Sequence, residues 1–556
     1  DLHRHYRRQR QMCIRDRFKK AGYSQPKPLI EINNKPIIAH VLDMFPGEKD
    51  VTFICNRDHI ETTNMEALLN HYCPTGRVIT IEPHKSGPVF AVSKIFDLID
   101  DKKPTIVNYC DFNCYWNYEY FKKWLLKLNP DGCIPAYKGF HPHSLAGNNY
   151  AFIREKNGWM TKIQEKKPFT NDKLNEFASS GTYYFANGKI LKDFFKKTID
   201  SNLKVNNEYY CSVVYNLMVK ESLKVAIFEL QHFMQWGTPD DLNEYLRWSN
   251  GFTALANYKN SKTIFQSSTL IPMAGKGSRF KKENYKLSKP LIPISGIPMV
   301  IQAVKSLPKT NTYSFIALEN LFNKNDLKKI LNSNFENIRI KLLNKITDGQ
   351  CSTCLSAINE IPSQQPVTIS ACDHGVIFKN QKFHKMFSDK NIDIIVWVTR
   401  SHPEAIRKPE MFGWVQESNN KINKVSVKKP LGNPKKDPIL IGTFTFKKAS
   451  IFKECAQNLI NTNGRVNGEF YVDSCINDAL LLGYKCHVFD VDHYFSWGTP
   501  NELRTFEYWQ SCFHKWKSHE YSWSRDPWKE DLNNNFEPEH LKEINPKLPL
   551  CNNAKK

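Results

Sequence analysis

No stretch of this 556-residue chain approaches the roughly 18 consecutive apolar residues of a membrane-crossing helix. Nothing near its start has the charged-then-apolar layout of a secretory signal. A soluble, cytoplasmic protein with no membrane span is expected. Cysteine is present but unpatterned. Fifteen occur, with one C-x-x-C at Cys351 and Cys354 and no second pair at zinc-site spacing. A four-ligand structural zinc is therefore not expected, and the thiols read as core or surface residues. Also lacking are a dense basic arm and any Arg-aromatic repeat, although the net charge is +22. Residues 1–20 supply +6 of that excess (Arg4, Arg7, Arg8, Arg10, Arg15, Arg17, Lys19 and Lys20 against Asp1 and Asp16), and the rest is scattered lysine. Spread lysine reads as solvated surface, so no nucleic-acid partner is expected. A basic balance also suits phosphorylated small molecules. Hydrophobics at 41% and aromatics at 13% exclude global disorder.

What is present is a repeat. Lys27-Pro28-Leu29-Ile30 returns as Lys289-Pro290-Leu291-Ile292, 262 residues later. The same offset carries Pro36 to Pro298, Gly87 to Gly349, Asp111 to Asp373, and Lys167-Pro168 to Lys429-Pro430. With one residue lost, the offset 261 carries Gly181-Thr182 to Gly442-Thr443, Glu208 to Glu469, and Trp236-Gly237-Thr238-Pro239 to Trp497-Gly498-Thr499-Pro500. Matches kept in one order over this length imply two copies of one domain. The expected organisation is a non-native segment at 1–17, a first domain at 18–250 lacking its proper start, and a linker at 251–267. A second domain at 268–505 and a tail at 506–556 complete it. In that tail, 509–528 is expected to pack as a helix and residues beyond about 530 to be loosely ordered.

In the second copy, apolar and β-branched runs predict strands at 269–273, 367–372, 392–398 and 439–446, with helices at 327–331 and 451–460. A last helix opens at Thr499-Pro500-Asn501-Glu502: a capping Thr, Pro at the first position and Glu three residues after the cap. Thr238-Pro239-Asp240-Asp241 repeats that signal with Asp. Such alternation implies an α/β fold, each copy a mostly parallel mixed sheet flanked by helices. Trp497 is expected to be a packing residue.

The sharpest motif is Gly275-Lys276-Gly277-Ser278-Arg279-Phe280 after the first strand, followed by Lys289-Pro290-Leu291. Glycines after a strand let backbone N–H groups close on phosphate oxygens. Arg279 adds a forked donor and Lys289 a point charge. This ordered set resembles the sugar-1-phosphate nucleotidyltransferases, over nearly all of 268–505 and, through the repeat, over 18–245. The resemblance implies two tandem Rossmann-like nucleotidyltransferase domains. It implies an NTP and a phosphorylated small-molecule acceptor as partners, Mg²⁺ as cofactor, and a role in nucleotide-sugar and surface polysaccharide synthesis. An oligomer is compatible with it. By the same resemblance Gly275, Gly277, Arg279 and Lys289 hold the triphosphate, and Gly349 passes the base. Asp373 binds the metal, Lys429 meets the acceptor phosphate, and Gly442, Thr443 and Glu469 line the acceptor pocket. The first-copy equivalents are Lys27, Gly87, Asp111, Lys167 and Glu208. An acceptor phosphate oxygen would attack the α-phosphorus in line and release pyrophosphate, with no covalent intermediate.

The chain departs from the family in three places. Ser496 and Gln235 stand where the family keeps a second metal-binding aspartate, and Asp473 and Asp492 are the nearby carboxylates that could substitute. The glutamate of the family's E-K-P segment is Glu165 in the first copy but Val427 in the second. At the 262 offset, Cys13 and Arg15 replace the loop glycines, and charged residues 7–11 fall where a buried strand belongs. Catalysis is therefore expected in the second copy. A non-catalytic nucleotide-binding regulatory or scaffold protein on the same fold is the alternative. Glycosyl transfer from a nucleotide sugar is disfavoured by the Gly275–Phe280 loop, and Asp490-Val491-Asp492, which has the spacing of its metal pair, comes too late in the domain.

Overall fold

The computed structural model describes residues 15–259, 261–323, 327–529 and 537–549. Residues 1–14, most of the segment read as non-native, lie outside the described residues, as do 530–536 in the tail. The chain divides into unit 1, Asp1–Ser249 with Leu541–Lys556, and unit 2, Asn250–His540.

The described part of unit 1 starts with helix α1 (Arg15–Lys20) and includes a parallel strand pair, β1 (Thr52–Asn56) and β2 (Arg77–Ile81). Its main sheet holds β3 (Thr105–Asn108), β5 (Gly132–Tyr137), β6 (Ala151–Lys156), β7 (Trp159–Glu165), β8 (Phe177–Ser179), β9 (Thr182–Phe185) and β10 (Val225–Leu230). The strand order is β8-β6-β7-β10-β5-β9-β3. Apart stands the antiparallel pair β4 (Phe112–Tyr115) with β11 (His232–Gln235). Helices α2 (Cys211–Lys220) and α3 (Pro239–Ala256) follow β9 and β11.

Unit 2 has strands β12 (Ile264–Pro272), β13 (Lys309–Leu318), β14 (Ile338–Leu343), β15 (Val367–Ser370), β16 (His374–Ile377), β17 (Ile394–Thr399), β18 (Gly413–Ser418), β19 (Lys421–Val427), β20 (Ile439–Phe446), β21 (Cys486–Asp490) and β22 (His493–Ser496). Nine of them form one sheet, in the order β14-β13-β12-β15-β20-β17-β21-β19-β18. The helices used below are α4 (Ser278–Lys282), α5 (Gln350–Ile358), α6 (Val472–Leu481) and α7 (Pro500–Lys515).

The sheets are mixed, and less parallel than the alternation predicts. In unit 2, β14, β13, β12 and β15 run parallel, while β20 is antiparallel to both β15 and β17. In unit 1 the only parallel pairing of the seven-stranded sheet is β5 with β10. One reason is a hairpin that periodicity alone does not show. β18 returns through Asn419 (φ 52°) and Asn420 (φ 64°), two left-handed residues of the kind a tight right-twisting turn demands.

Apolar side chains of both sheet faces fill the core of unit 2. Trp397 and Phe489 meet edge to face on one side of the strands, and Ile369, Phe444 and Cys455 pack on the other. Trp497 is fully buried against Phe506 and Trp528, a packing residue as expected. The expected linker is mostly structured: α3 runs to Ala256, β12 starts at Ile264, and Phe252 is fully buried against Phe495 and Phe506. The tail also differs from expectation. Its helix ends at Lys515, and the following coil is pinned by the buried Asp526 carboxylate, which accepts from Tyr521, Gln510 and Ser295. Residues 541–549 lie on unit 1, where the Gln231 amide donates to the Lys542 carbonyl (2.6 Å) and Tyr115 Oη to Glu543 (2.6 Å). No helix among the described residues is long and apolar enough to cross a membrane.

Candidate functional site

The chemistry-bearing residues of unit 2 gather where its parallel strands end. After β12 the chain turns through Gly275 and Gly277. Gly277 has φ 61°, and a Cβ there would lie 3.3 Å from Lys289 Cβ, so the turn rests on Lys289. Phe280 of α4 is buried beneath it, and Arg279 is exposed. Lys289 Nζ donates to Asp373 Oδ2. Burial opposes the lysine charge, but Asp373 more than offsets it and raises the pKa of Lys289. Burial likewise opposes the carboxylate of Asp373, yet Lys289, His374 and Arg279 together hold its pKa below the ordinary value.

Asp373 is held from behind. His374 Nδ1 lies 4.0 Å from its Oδ1, and His374 Nε2 lies 3.0 Å from Thr443 Oγ1. Burial pushes the imidazole down to about 4, so it is neutral near pH 7. Thr443 is fully buried with its hydroxyl on Ser370 and His374. It does not line an open pocket, contrary to expectation, because the bonding that satisfies it points into the sheet. Gly442 has φ 76°, and its carbonyl accepts from Ala371 N two residues before Asp373.

Neither proposed substitute occupies the place of the missing second carboxylate. Asp492 is exposed on the connection between β21 and β22, and Asp473 lies elsewhere. The residue beside Asp373 is Glu502. β16 and β22 pair with His374 opposite Ser496, and Ser496 Oγ donates to Glu502 Oε1 at 2.8 Å. A Cβ on Gly498 would lie 3.3 Å from Asp373 Oδ2, 3.3 Å from Glu502 Oε2 and 3.7 Å from Ser496 Oγ. Three oxygens thus face one small space that only glycine leaves open. Burial, with Asp373 nearby, raises the pKa of Glu502. Sequence reasoning read Glu502 only as the third residue of a capping box, a role its backbone does fill by donating to Thr499 Oγ1 (3.2 Å). The usable signal was that helix opening: its first turn folds back over the strand ending at Ser496. Among the described residues no three His, Cys, Asp or Glu side chains form a metal cage. Two carboxylates and a hydroxyl still match the way Mg²⁺ is usually held, by one or two carboxylates plus substrate phosphates and water.

The second cluster surrounds the end of β19. Lys429 is exposed; Lys428, with φ 59°, lays Nζ over the Tyr471 ring at 5.6 Å. Burial and a hydrogen bond to Glu469 push the Tyr471 hydroxyl up to about 12. Asp473 sits beside this lysine on the first turn of α6, and burial raises its pKa to about 6, the charge of Lys428 opposing. In unit 1, Lys166 (φ 59°) bonds Tyr210 Oη at 3.0 Å, and Glu165 accepts from Ser212. At the repeat offsets Glu165 matches Val427 and Ser212 matches Asp473. The carboxylate that β19 lacks is therefore supplied from α6. A left-handed non-glycine residue at both lysines marks strain at this point in each unit.

Gly349 has φ 123°, and a Cβ there would meet Phe470 O at 2.5 Å and N at 2.6 Å, so it seats α5 against the Glu469-Phe470 segment. Gly87 meets Tyr209 in the same way. In unit 1, Lys27 Nζ lies 3.0 Å from Asp111 Oδ2, but beside Gly237 stands the Gln235 amide, and Asp241 bonds Thr238 Oγ1 at 2.5 Å. Lys167 is exposed, while Glu208, half-buried, bonds Tyr210.

No family model matches this chain, and no curated protein matches it. Among solved structures it is similar to a nucleoside-diphosphate-sugar pyrophosphorylase from Vibrio cholerae RC9, with 19% identity over 43% of this chain and 98% of that one and a TM-score of 0.36. It is similar to the inositol-1-phosphate CTP transferase from T. maritima, with 16% identity over 44% and 95% and a TM-score of 0.36. A UDP-glucose pyrophosphorylase complexed with UDP-glucose gives 16% identity over 44% and 97% and a TM-score of 0.35.

Proposed function

We propose that this protein is a nucleotidyltransferase. It moves the nucleoside monophosphate of an NTP onto a sugar-1-phosphate or a similar alcohol phosphate, for nucleotide-sugar and surface polysaccharide synthesis, and releases pyrophosphate. Unit 2 carries the reaction. The observation that supports this reading is the meeting of Lys289, Asp373, Ser496 and Glu502 beneath the Gly275-Lys276-Gly277 turn.

In this reading the backbone N–H groups of Gly275 and Gly277 close on the triphosphate, which their missing side chains permit. Arg279 and Lys289 balance its charge. Asp373 and Glu502 would hold Mg²⁺, with Ser496 fixing Glu502, and the ion when bound offsets the charge of the transferring phosphate. Lys428 and Lys429 stand for the acceptor phosphate, and Glu469, Tyr471 and Asp473 for acceptor hydroxyls. An acceptor phosphate oxygen attacks the α-phosphorus, the bond from that phosphorus to the β-phosphate oxygen breaks, and pyrophosphate leaves. Positioning and charge supply the rate, and no side chain is modified.

The test crosses four nucleoside triphosphates with sugar-1-phosphates and phosphocholine, reading pyrophosphate release with Mg²⁺. A pair that reacts, and is lost in Asp373→Asn, supports the reading and names both substrates. Full activity in Asp373→Asn overturns the site. Nucleotide binding without turnover across the panel favours a non-catalytic nucleotide-binding protein instead.

A further inference from the structure

We propose that Arg504 is a positioning residue of the unit 2 site, an inference that rests on the nucleotidyltransferase reading above. Its guanidinium ties loop 281–288, which joins the glycine turn and α4 to Lys289, onto the helix that carries Glu502, and so sets the affinity for a triphosphate. Residues 281–284, 286 and 287 of that loop are exposed. Tyr285 is half-buried, its ring edge-on to the buried Phe280 at 5.0 Å. An exposed loop with a single aromatic anchor opens at little cost.

The second anchor is charged. Arg504 Nη2 donates to Glu283 Oε2, and Arg504 Nη1 donates to Asn501 Oδ1 at 3.0 Å. Burial raises the pKa of the Tyr285 hydroxyl and lifts Glu507 to about 7, and Arg504 opposes both shifts. One guanidinium thus serves two acids, a phenol and an amide, drawn from the loop and from α7. Residues two apart on a helix point about 200° apart, so Arg504 leaves α7 on the side away from Glu502. The first turns of α7 are therefore tied on two sides, by Ser496 through Glu502 and by Glu283 through Arg504. Together these ties hold the loop that ends at Lys289 against the helix whose carboxylate stands beside Asp373.

Unit 1 builds the same contact without charge. At the repeat offsets Glu283 matches Ala21, Tyr285 matches Tyr23, Arg504 matches Asn243 and Glu507 matches Leu246. Tyr23 Oη lies 3.5 Å from Asn243 Oδ1, so loop and helix still meet there through neutral groups. The charged form occurs in the unit whose α7 presents Glu502 to the space beside Asp373; in unit 1 the matching Asp241 bonds Thr238. The Glu283 and Arg504 side chains are 40% and 33% exposed, and an exposed ion pair adds little to stability. What it contributes is position, since a misplacement of about 1 Å at a reacting group costs up to about 100-fold.

The test is a double-mutant cycle in the full-length chain: Arg504→Ala, Glu283→Ala and both together. Binding of inorganic triphosphate, ATP, CTP, GTP and UTP, each with Mg²⁺, is read by titration calorimetry. Each single variant should bind about tenfold more weakly than the parent. The double variant should lose no more than about twofold beyond either single, because both remove one tie. Tm should stay within about 2 °C of the parent, and amide exchange in 281–288 should quicken by about tenfold. The triple variant Glu283→Ala, Arg504→Asn, Glu507→Leu copies the neutral contact of unit 1; it should fold and bind as weakly as the double variant. The proposal is overturned if Arg504→Ala binds as the parent does, if Tm falls in step with affinity, or if the two losses add. It is also overturned if Glu283→Ala alone keeps parental affinity, which would make Arg504 a direct phosphate ligand. A parent that binds none of the probes overturns the nucleotidyltransferase reading itself, whereas failure of the tie alone leaves parental binding intact.

Discussion

Replacing Asp473 by Asn should stabilise the protein at alkaline pH and leave it unchanged in acid. Asp473 is held next to Lys428, but burial outweighs that attraction and lifts its pKa to about 6. In the unfolded chain an aspartate titrates near 4, so the two states differ by about 2 pKa units, or about 3 kcal/mol. The folded state prefers the proton. The stability that the neutral carboxyl contributes is therefore complete below about pH 4 and is lost as pH rises through about 6. Asn cannot ionise and keeps the volume, so the variant retains at pH 8 what the parent has lost. For a domain of this size 1 kcal/mol moves Tm by about 2–4 °C, which places the variant's unit 2 transition about 6–12 °C higher at pH 8 and level with the parent at pH 4. Thermal unfolding of both full-length proteins from pH 4 to 8, followed by tryptophan fluorescence, reads this directly. A gap of the same size at both ends, or a parent more stable at pH 8, refutes the assignment of a half-buried carboxylate that prefers its proton. If Asp473 does the work of Glu165, the double variant Val427→Glu with Asp473→Ser should retain activity that Asp473→Ser alone loses.

Glu502→Gln should weaken Mn²⁺ binding, read by electron paramagnetic resonance with a non-hydrolysable NTP, by about 10–100-fold, and adding Ser496→Asp should recover it; unchanged affinity in Glu502→Gln removes that residue from the metal site. Asp373→Asn should lower pyrophosphate release by about 10²–10³-fold, the scale for losing one preorganised electrostatic group, and a smaller drop would put the chemistry elsewhere. Gly349→Ala places a Cβ 2.5 Å from Phe470 O at a φ of +123°. It should cost about 2 kcal/mol or more in unfolding experiments, and an unchanged Tm would mean that α5 does not seat on that segment.

How far the sequence reached depends on the range of each signal. The repeat, the glycine turn after the first strand, Lys289 and Asp373 were legible because each is a local pattern in a fixed order, and the structure brings the turn, the lysine and the aspartate together at one strand end. The strand runs at 269–273, 367–372, 392–398 and 439–446 fell on β12, β15, β17 and β20, since an apolar run carries its own preference for a buried strand. Sheet direction was not legible, because a two-residue Asn turn reverses a strand without altering its periodicity.

At the site the tertiary structure decided three things. A left-handed backbone at position 428 turns the chain so that Lys428, and not Lys429, lies over Tyr471. The carboxylate missing at Val427 returns on α6, far along the chain but adjacent in space. Glu502 serves the space beside Asp373 because the first turn of α7 folds back over Ser496. The sequence by itself determined which residue types were available and which short segments would turn, extend or coil, since those preferences act between near neighbours. Only the tertiary structure decided which carboxylates face one another, because side-chain convergence arises from contacts between segments distant in the chain.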